Sequence, residues 1–207
     1  MIAVIDYGMG NLRSVSKALE KLGAEVRVTS NGADIESSSK LVFPGVGAFL
    51  DCMNGLKERE LVSPIKEFIK SKKPFLGICM GLQLLFETSE EAPGTAGLGV
   101  LKGGVRRFSP VAGQEKLKVP HIGWNQIRFS GREKNLPLFR GVEDESFVYF
   151  VHSYYAVPNE PEITTTLTSY GVDFCSSLNK DNIYATQFHP EKSQSVGLKI
   201  LENFCRL

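Results

Sequence analysis

Long apolar runs are missing from this 207-residue chain: none approaches the length of a membrane span, which argues against an integral membrane protein. An excess of one charge is missing too. Lys and Arg number 24 against 23 Asp and Glu, interspersed rather than in blocks, so a net charge of +1 offers no general attraction for nucleic acid or a membrane surface. The four cysteines, at 52, 79, 175 and 205, form no Cys-x-x-Cys pair, and the three histidines lack metal-ligand spacing, so neither a metal site nor a redox dithiol is expected. The opening Met1-Ile2-Ala3-Val4-Ile5-Asp6 carries no basic leader, and its apolar run is too short for a secretory signal. These absences point to a globular protein of the reducing cytoplasm. With 42% hydrophobic and 23% charged residues, no internal repeat and no low-complexity linker, the length suits a single domain over 1–207.

The N-terminal half alternates strand and helix patterns. Ile2 to Ile5 reads as a buried strand, and Leu12, Val15, Ala18, Leu19 and Leu22 mark one face of a helix that stops at Gly23. Strands follow at Glu25 to Thr29, closed by Asn31-Gly32, and at Lys40 to Phe43, which runs into Pro44-Gly45-Val46-Gly47. Helical pattern continues through Leu61 to Ile69 before Pro74. Such alternation implies a largely parallel sheet covered on both faces. Beyond Leu98 the runs are shorter and β-like: Val105 to Phe108, Asn125 to Phe129, Ser146 to Val151, Ile163 to Thr168, Phe174 to Leu178 and Ile183 to Phe188. Asn179 to Asn182 reads as a hairpin connection, and Ser193 as the cap of a last helix with Val196, Ile200, Leu201 and Phe204 inward. Glu90 to Gly104 and Pro110 to Pro120, rich in Gly, Pro and Ala, read as loops. The fold expected is α/β, a mostly parallel central sheet with an antiparallel β extension.

Phe75-Leu76-Gly77-Ile78-Cys79-Met80-Gly81-Leu82-Gln83 carries the chemistry. A buried strand ending near Ile78, a sharp turn at Cys79 and a helix from Met80 with Leu82, Leu85 and Phe86 inward make a nucleophile elbow in which sulfur replaces the usual hydroxyl. A helix N-terminus with free N–H groups favours a thiolate there. A thiol nucleophile also needs a base, and His189 in Gln187-Phe188-His189-Pro190-Glu191 supplies one, because an extended His-Pro-Glu sets the carboxylate beside the imidazole it would orient. Cys79, His189 and Glu191 thus form a candidate triad. In an open parallel sheet the working residues gather at the carboxyl ends of strands. There Gly45 and Val46 of Pro44-Gly45-Val46-Gly47 could turn a backbone N–H toward an oxyanion, with the N–H of Met80 as a second donor. Gly8-Met9-Gly10 invites a dinucleotide reading, but Arg13 stands where a third glycine belongs, so the loop reads as structural or partner-contacting and no cofactor is expected. His121 and His152 read as satisfied structural histidines or walls of the site.

Over essentially its whole length the chain resembles class I, triad-type glutamine amidotransferases, whose glutaminase signature Gly77 to Gln83 and His189-Pro190-Glu191 match. Asp6-Tyr7-Gly8-Met9-Gly10-Asn11-Leu12, Pro44 to Phe49, Pro120-His121-Ile122-Gly123-Trp124-Asn125 and Phe150 to Tyr154 are similar to the branch of that family serving imidazole glycerol phosphate synthesis in histidine biosynthesis. The resemblance implies a flavodoxin-like fold, and glutamine hydrolysis through a γ-glutamyl thioester on Cys79 with His189 as acid and base and Glu191 orienting it. Gln83, Glu91, Ser153 and Tyr154 would hold L-glutamine. It also implies a heterodimer with a (β/α)8-barrel cyclase subunit that receives the ammonia, docked against Asn11, Pro120, Trp124, Asn125 and Lys192. A subunit feeding anthranilate or aminodeoxychorismate synthesis would share the triad, and so would a free-standing hydrolase of γ-glutamyl peptides. A non-catalytic binding module would not need it.

Overall fold

Alternate residues of the first strand are buried on opposite sides. In the computed structural model, which describes residues 1–109, 117–131 and 136–207, Ala3 and Ile5 pack with Leu41, Phe43 and Phe75 on one side, and Ile2 and Val4 with Val42, Leu76 and Ile78 on the other. These residues belong to β1 (Ile2–Ile5), β3 (Lys40–Gly45) and β4 (Phe75–Cys79), with β2 (Val26–Thr29) at the edge. The helices α2 (Gly32–Ser37), α3 (Phe49–Glu58) and α4 (Val62–Lys70) cover the first side through Ile35, Phe49, Leu56, Ile65 and Phe68. The other side is covered by α1 (Leu12–Lys21) and the C-terminal α6 (Gln194–Arg206), through Val15, Leu19, Ile200, Leu201 and Phe204. Strands buried on both faces are what the near-continuous apolar runs required. Between β4 and α6 come α5 (Met80–Gln83), β5 (Thr88–Ser89), β6 (Gly103–Arg107), β7 (His121–Gln126), β8 (Arg128–Phe129), β9 (Phe147–His152), β10 (Tyr154–Pro158), β11 (Thr164–Tyr170), β12 (Val172–Lys180) and β13 (Ile183–Thr186).

The main sheet runs β2-β1-β3-β4-β13-β12-β10-β6-β5, with β11 paired to β12 and β8. Its first five strands are mutually parallel, and the extension from β12 through β10 to β6 is antiparallel. A separate antiparallel ribbon, β7 on β9, lies beside the carboxyl end of the parallel strands, where the His189 N–H bonds the Tyr149 carbonyl at 2.9 Å. Among the described residues, no helix is long and apolar enough to cross a membrane.

Local structure departs from the sequence pattern at several points. Asn31-Gly32 does not merely close a strand: the Asn31 side chain accepts the Ala33 N–H at 2.9 Å and caps α2. The helical pattern before Pro74 forms two helices, broken at Glu60, where φ is 55°. Ser193 stands at the start of α6 but makes no side-chain cap; its hydroxyl donates to the His189 carbonyl and accepts the Tyr149 N–H. Tyr154–Pro158 is a strand that its sequence did not mark. The elbow helix ends at Gln83 although Leu84, Leu85 and Phe86 are fully buried, because their carbonyls accept N–H groups from Leu98 to Leu101 instead. The loop expected at Pro110 to Pro120 lies in part, at 110–116, outside the described residues.

Two glycines set how closely α5 approaches the sheet. A Cβ on Gly81 would overlap the Phe43 carbonyl oxygen, and one on Gly77 would lie 2.8 Å from the Gly81 carbonyl oxygen. Gly81→Ala is therefore expected to lower stability by roughly 3 kcal/mol, read from urea unfolding. A loss within experimental error would contradict the backbone contact.

Candidate active site

The register of β4 brings Cys79 level with Gly45 at the carboxyl end of the sheet, and the chain turns there at φ 55° and ψ −105°. Such a conformation costs a non-glycine residue of the order of 1–3 kcal/mol and persists only where its surroundings over-determine it. Here the surroundings are backbone on backbone. Met80 opens α5, so its N–H is one of the first-turn donors with no acceptor inside the helix. Cys79 is 6% exposed and lines a cleft of about 440 Å³.

His189 follows β13, which runs parallel to β4 with Thr186 level with Ile78. The imidazole is buried, and its Nδ1 lies 2.8 Å from Glu191 Oε1. His189 itself is extended, but Pro190–Lys192 forms a 3-10 turn, so the His–Glu contact is made around a tight turn and not along a strand. Nε2 of His189 is buried and has no hydrogen-bond partner among the described residues. Burial alone would push the imidazole pKa down. The neighbouring Cys79 sulfur and the Glu191 carboxylate outweigh it and hold the pKa up at about 10, so the ring carries a proton at neutral pH. An imidazolium with a free Nε2–H beside a thiol can both stabilise a thiolate and deliver a proton to a leaving group.

Around the thiol, the cleft is walled by Val46, Met80, Gln83, Glu91, Ser153 and Tyr154, and Pro120 and Lys192 stand at it as well. Gly45 does not line it: this residue ends β3, where a Cβ would meet the Tyr7 hydroxyl and the Met80 Cβ. The Val46 carbonyl turns inward to accept from Cys52 Sγ at 3.7 Å, and Cys52 Sγ accepts from the Tyr7 hydroxyl at the same distance. Burial raises the pKa of both: the Cys52 thiol to about 11, and the Tyr7 hydroxyl above its ordinary range. Glu91 is no free surface acid. One of its oxygens accepts the Phe49 N–H at 3.0 Å at the start of α3, and desolvation raises its carboxyl pKa.

The outer residues of the ribbon form a continuous apolar face. Ile122, Trp124 and Phe147 are 59%, 45% and 54% exposed, and Trp124 packs edge-on to Tyr149 at 6.0 Å. Lys192 Nζ lies 5.8 Å from the Tyr149 ring centre. Asn125 belongs to the opposite face of the ribbon, with its amide donating to the Ser169 carbonyl and lying 3.3 Å from His121 Nε2. Asn11 sits at the start of α1 without a side-chain cap.

Two buried relays meet at the Tyr154 carbonyl. One runs through histidines: His152 Nδ1 lies 2.8 Å from that oxygen, and His121 Nδ1 lies 3.0 Å from His152 Nε2. A carbonyl only accepts, so His152 donates from Nδ1, its Nε2 accepts from His121, and His121 Nε2 accepts from Asn125. Desolvation pulls the pKa of His121 to about 4 and that of His152 to about 3, which keeps both rings neutral, as this pattern requires. The other relay runs through amides: Gln83 Nε2 donates to the Tyr154 carbonyl at 2.9 Å and to Gln187 Oε1 at 3.0 Å, and Gln187 Nε2 donates to Cys79 Sγ at 3.6 Å. Gln187 was not among the residues its sequence marked for the site. Its place two residues before His189 was the available clue.

His189, whose proton is held first by the Cys79 sulfur and then by Glu191, ties stability to pH. The folded chain holds the His189 proton to about pH 10, while an ordinary histidine releases it near 6.5. Its stabilising effect is therefore complete below pH 6.5 and is lost as the pH rises toward 10. Glu191→Gln is expected to flatten this part of the stability curve in part, the remainder resting on Cys79, measured as urea midpoints across that range. Equal slopes in variant and wild type would contradict it.

The profile of the family described as glutamine amidotransferase class-I matches residues 3–207. Imidazole glycerol phosphate synthase subunit HisH of Syntrophotalea carbinolica is 52% identical over 207 residues, covering 99% of this chain and 98% of the relative. The HisH subunit of Aquifex aeolicus is 54% identical over 204 residues, 98% of this chain and 95% of its own. A solved glutamine amidotransferase superposes with a TM-score of 0.74 at 17% identity over 100% of both chains, and PurLQS of Thermotoga maritima with 0.74 at 18% over 99% and 97%. The solved structures establish the fold; the sequence matches establish kinship. This chain belongs to the class I glutamine amidotransferase family.

Proposed function

We infer that this chain is the glutaminase subunit of an imidazole glycerol phosphate synthase. It hydrolyses L-glutamine to glutamate and ammonia, and passes the ammonia to a (β/α)8-barrel cyclase subunit that makes imidazole glycerol phosphate and an aminoimidazole carboxamide ribotide in cytoplasmic histidine biosynthesis. One observation supports the glutaminase reading above the others: the elbow thiol, which lines the cleft, neighbours a buried imidazole whose Nδ1 is held by a buried carboxylate and whose Nε2 has no other partner among the described residues. The full-length kinship to HisH subunits supports the choice of pathway over the anthranilate and aminodeoxychorismate alternatives.

In the reaction, the Cys79 thiolate attacks the side-chain amide carbon of glutamine, and the carbonyl oxygen becomes an oxyanion facing the Met80 N–H. His189 Nε2–H gives its proton to the departing nitrogen, ammonia leaves, and a γ-glutamyl thioester remains on Cys79. Water then attacks the thioester while the neutral His189 takes its proton. Collapse of that intermediate releases glutamate and restores the thiolate beside imidazolium. Glu191 keeps Nδ1 protonated, so that Nε2 is the atom that exchanges protons. Glutamine would be held by Ser153, between β9 and β10, by Tyr154 at the start of β10, by Glu91 at its ammonium group, and by Gln83. Both hydrogens of the Gln83 amide are already committed, so this side chain offers glutamine its unpartnered Oε1 and acts as an acceptor.

The second oxyanion donor would come from the Gly45–Val46 segment. With the Val46 carbonyl held inward by Cys52, and glycines on both sides easing rotation, turnover in the isolated chain is low and rises when the partner re-sets this loop. The docking face is the apolar outer side of the ribbon, Ile122, Trp124 and Phe147, with Pro120, Lys192 and Asn11 as further candidate contacts; Asn125, on the ribbon's opposite face, would support it from behind, and Trp124 is its aromatic anchor. The chain acts as one domain, since both core clusters share the same sheet.

Glutamate release should be slow in the chain alone and rise strongly with the cyclase and its ribotide ligand; equal rates would point to another partner or to a free-standing hydrolase. Cys79→Ala should abolish release in both conditions. Trp124→Ala should weaken association with the cyclase at least about tenfold in titration calorimetry while leaving basal hydrolysis unchanged, and unaltered affinity would move the docking face elsewhere.

A further inference from the structure

Gln187 is fully buried, has no part in the triad, and places its side-chain nitrogen 3.6 Å from the sulfur of Cys79. Which end of its amide faces the sulfur follows from its neighbours. The Tyr154 carbonyl can only accept, so the Gln83 end that meets it at 2.9 Å must be the NH2 group. That NH2 group has a second hydrogen, which goes to Gln187 at 3.0 Å; the Gln187 atom receiving it must be Oε1, since two donors would repel. What remains to face Cys79 is the Gln187 NH2 group. The chain Tyr154 C=O, Gln83, Gln187, Cys79 therefore has one polarity, set by a backbone atom at its far end.

The fold fixes this chain at both ends. Thr186 is level with Ile78 across the parallel β13–β4 pair, so Gln187, the first residue past β13, and Cys79, the last of β4, follow at the same carboxyl edge. The Gln187 N–H bonds the Ser176 carbonyl of β12 at 2.8 Å, which holds its backbone on the other side. The Tyr154 carbonyl is itself held by a second donor, the neutral His152. A buried amide pair satisfied only for packing could end on any polar group. This one ends on the reacting atom.

We propose that Gln187 is a catalytic residue that stabilises the Cys79 thiolate by an amide N–H···S hydrogen bond, with Gln83 as the positioning residue that sets its orientation. A hydrogen bond to a charged acceptor favours the charged form, and in a buried site it competes with little water. The Cys79 sulfur also lies 4.0 Å from the Val151 carbonyl, to which only a protonated thiol can donate, so of these two contacts the Gln187 N–H is the one that survives ionisation. This role rests on the reading of Cys79 as the nucleophile. It adds a second thiolate partner to His189, one that does not titrate.

The test is alkylation of Cys79 by iodoacetamide in the full chain, followed by mass spectrometry of the peptide that carries Cys79, against pH. Gln187→Met keeps the volume and removes the donor. Gln187→Glu keeps an acceptor for Gln83 but sets an oxygen against the sulfur. Alkylation at pH 7 should fall about tenfold in the methionine variant and further in the glutamate variant. Both should converge on the wild-type rate in strong alkali, where any thiol is ionised. Wild-type rates at pH 7 in both folded variants, or a loss of the same factor at every pH, would overturn the role of Gln187. If one variant fails to fold by its thermal transition, the other decides. Retention of glutamate release by Cys79→Ala would instead remove the underlying glutaminase reading, whatever the alkylation result.

Discussion

The site depends on backbone packed directly against backbone where β3, β4 and α5 meet. Gly81 lies against the Phe43 carbonyl, Gly77 against Gly81, and Gly45 against Tyr7 and Met80, each at a distance that leaves no room for a Cβ. This closeness allows the chain to reverse within one residue and holds Cys79 at a positive φ that nothing local would favour. Strain of about 1–3 kcal/mol at one residue is small beside the burial of Phe43, Phe75, Leu76 and Ile78 around it, each contributing roughly 1.5–3 kcal/mol. A stable sheet thus supports a thiol in a posture in which it can react.

From that point the polar side chains are arranged by what each neighbour can accept. Three histidines occupy the chain, and their environments divide them: His189 is held protonated by Cys79 and Glu191 against the pull of burial, while His121 and His152 are kept neutral by burial. The same low-polarity surroundings therefore support opposite protonation states a short distance apart, and specific partners decide between them. The Tyr154 carbonyl serves both neutral relays, so one backbone oxygen positions the amides next to the nucleophile and the histidines beneath the ribbon.

Much of this was legible in the sequence wherever chemistry and periodicity coincided. The parallel strands announce themselves as short apolar runs because both faces are covered, and Gly77 and Gly81 mark the elbow because the close approach of strand and helix leaves no room for a Cβ at either. His189 and Glu191 were legible through their spacing, although the chain joins them by a 3-10 turn and not an extended strand. What escaped the sequence depends on partners distant along the chain. The length of α5 is set by N–H groups of Leu98 to Leu101; Tyr154–Pro158 becomes a strand by pairing with β6; Ser193 serves Tyr149 and His189 in place of a helix cap. Gly45 illustrates the same limit within the site, since it has the right position for an oxyanion loop but is packed under Tyr7 outside the cleft.

The most direct measurement is mass spectrometry of the chain during turnover with L-glutamine, quenched in acid and digested, with and without the cyclase subunit. A γ-glutamyl adduct on the peptide carrying Cys79, appearing and decaying with glutamate formation, is the expected result. Steady glutamate release with no adduct on Cys79, or with the adduct on another residue, would contradict a thiol nucleophile at the elbow.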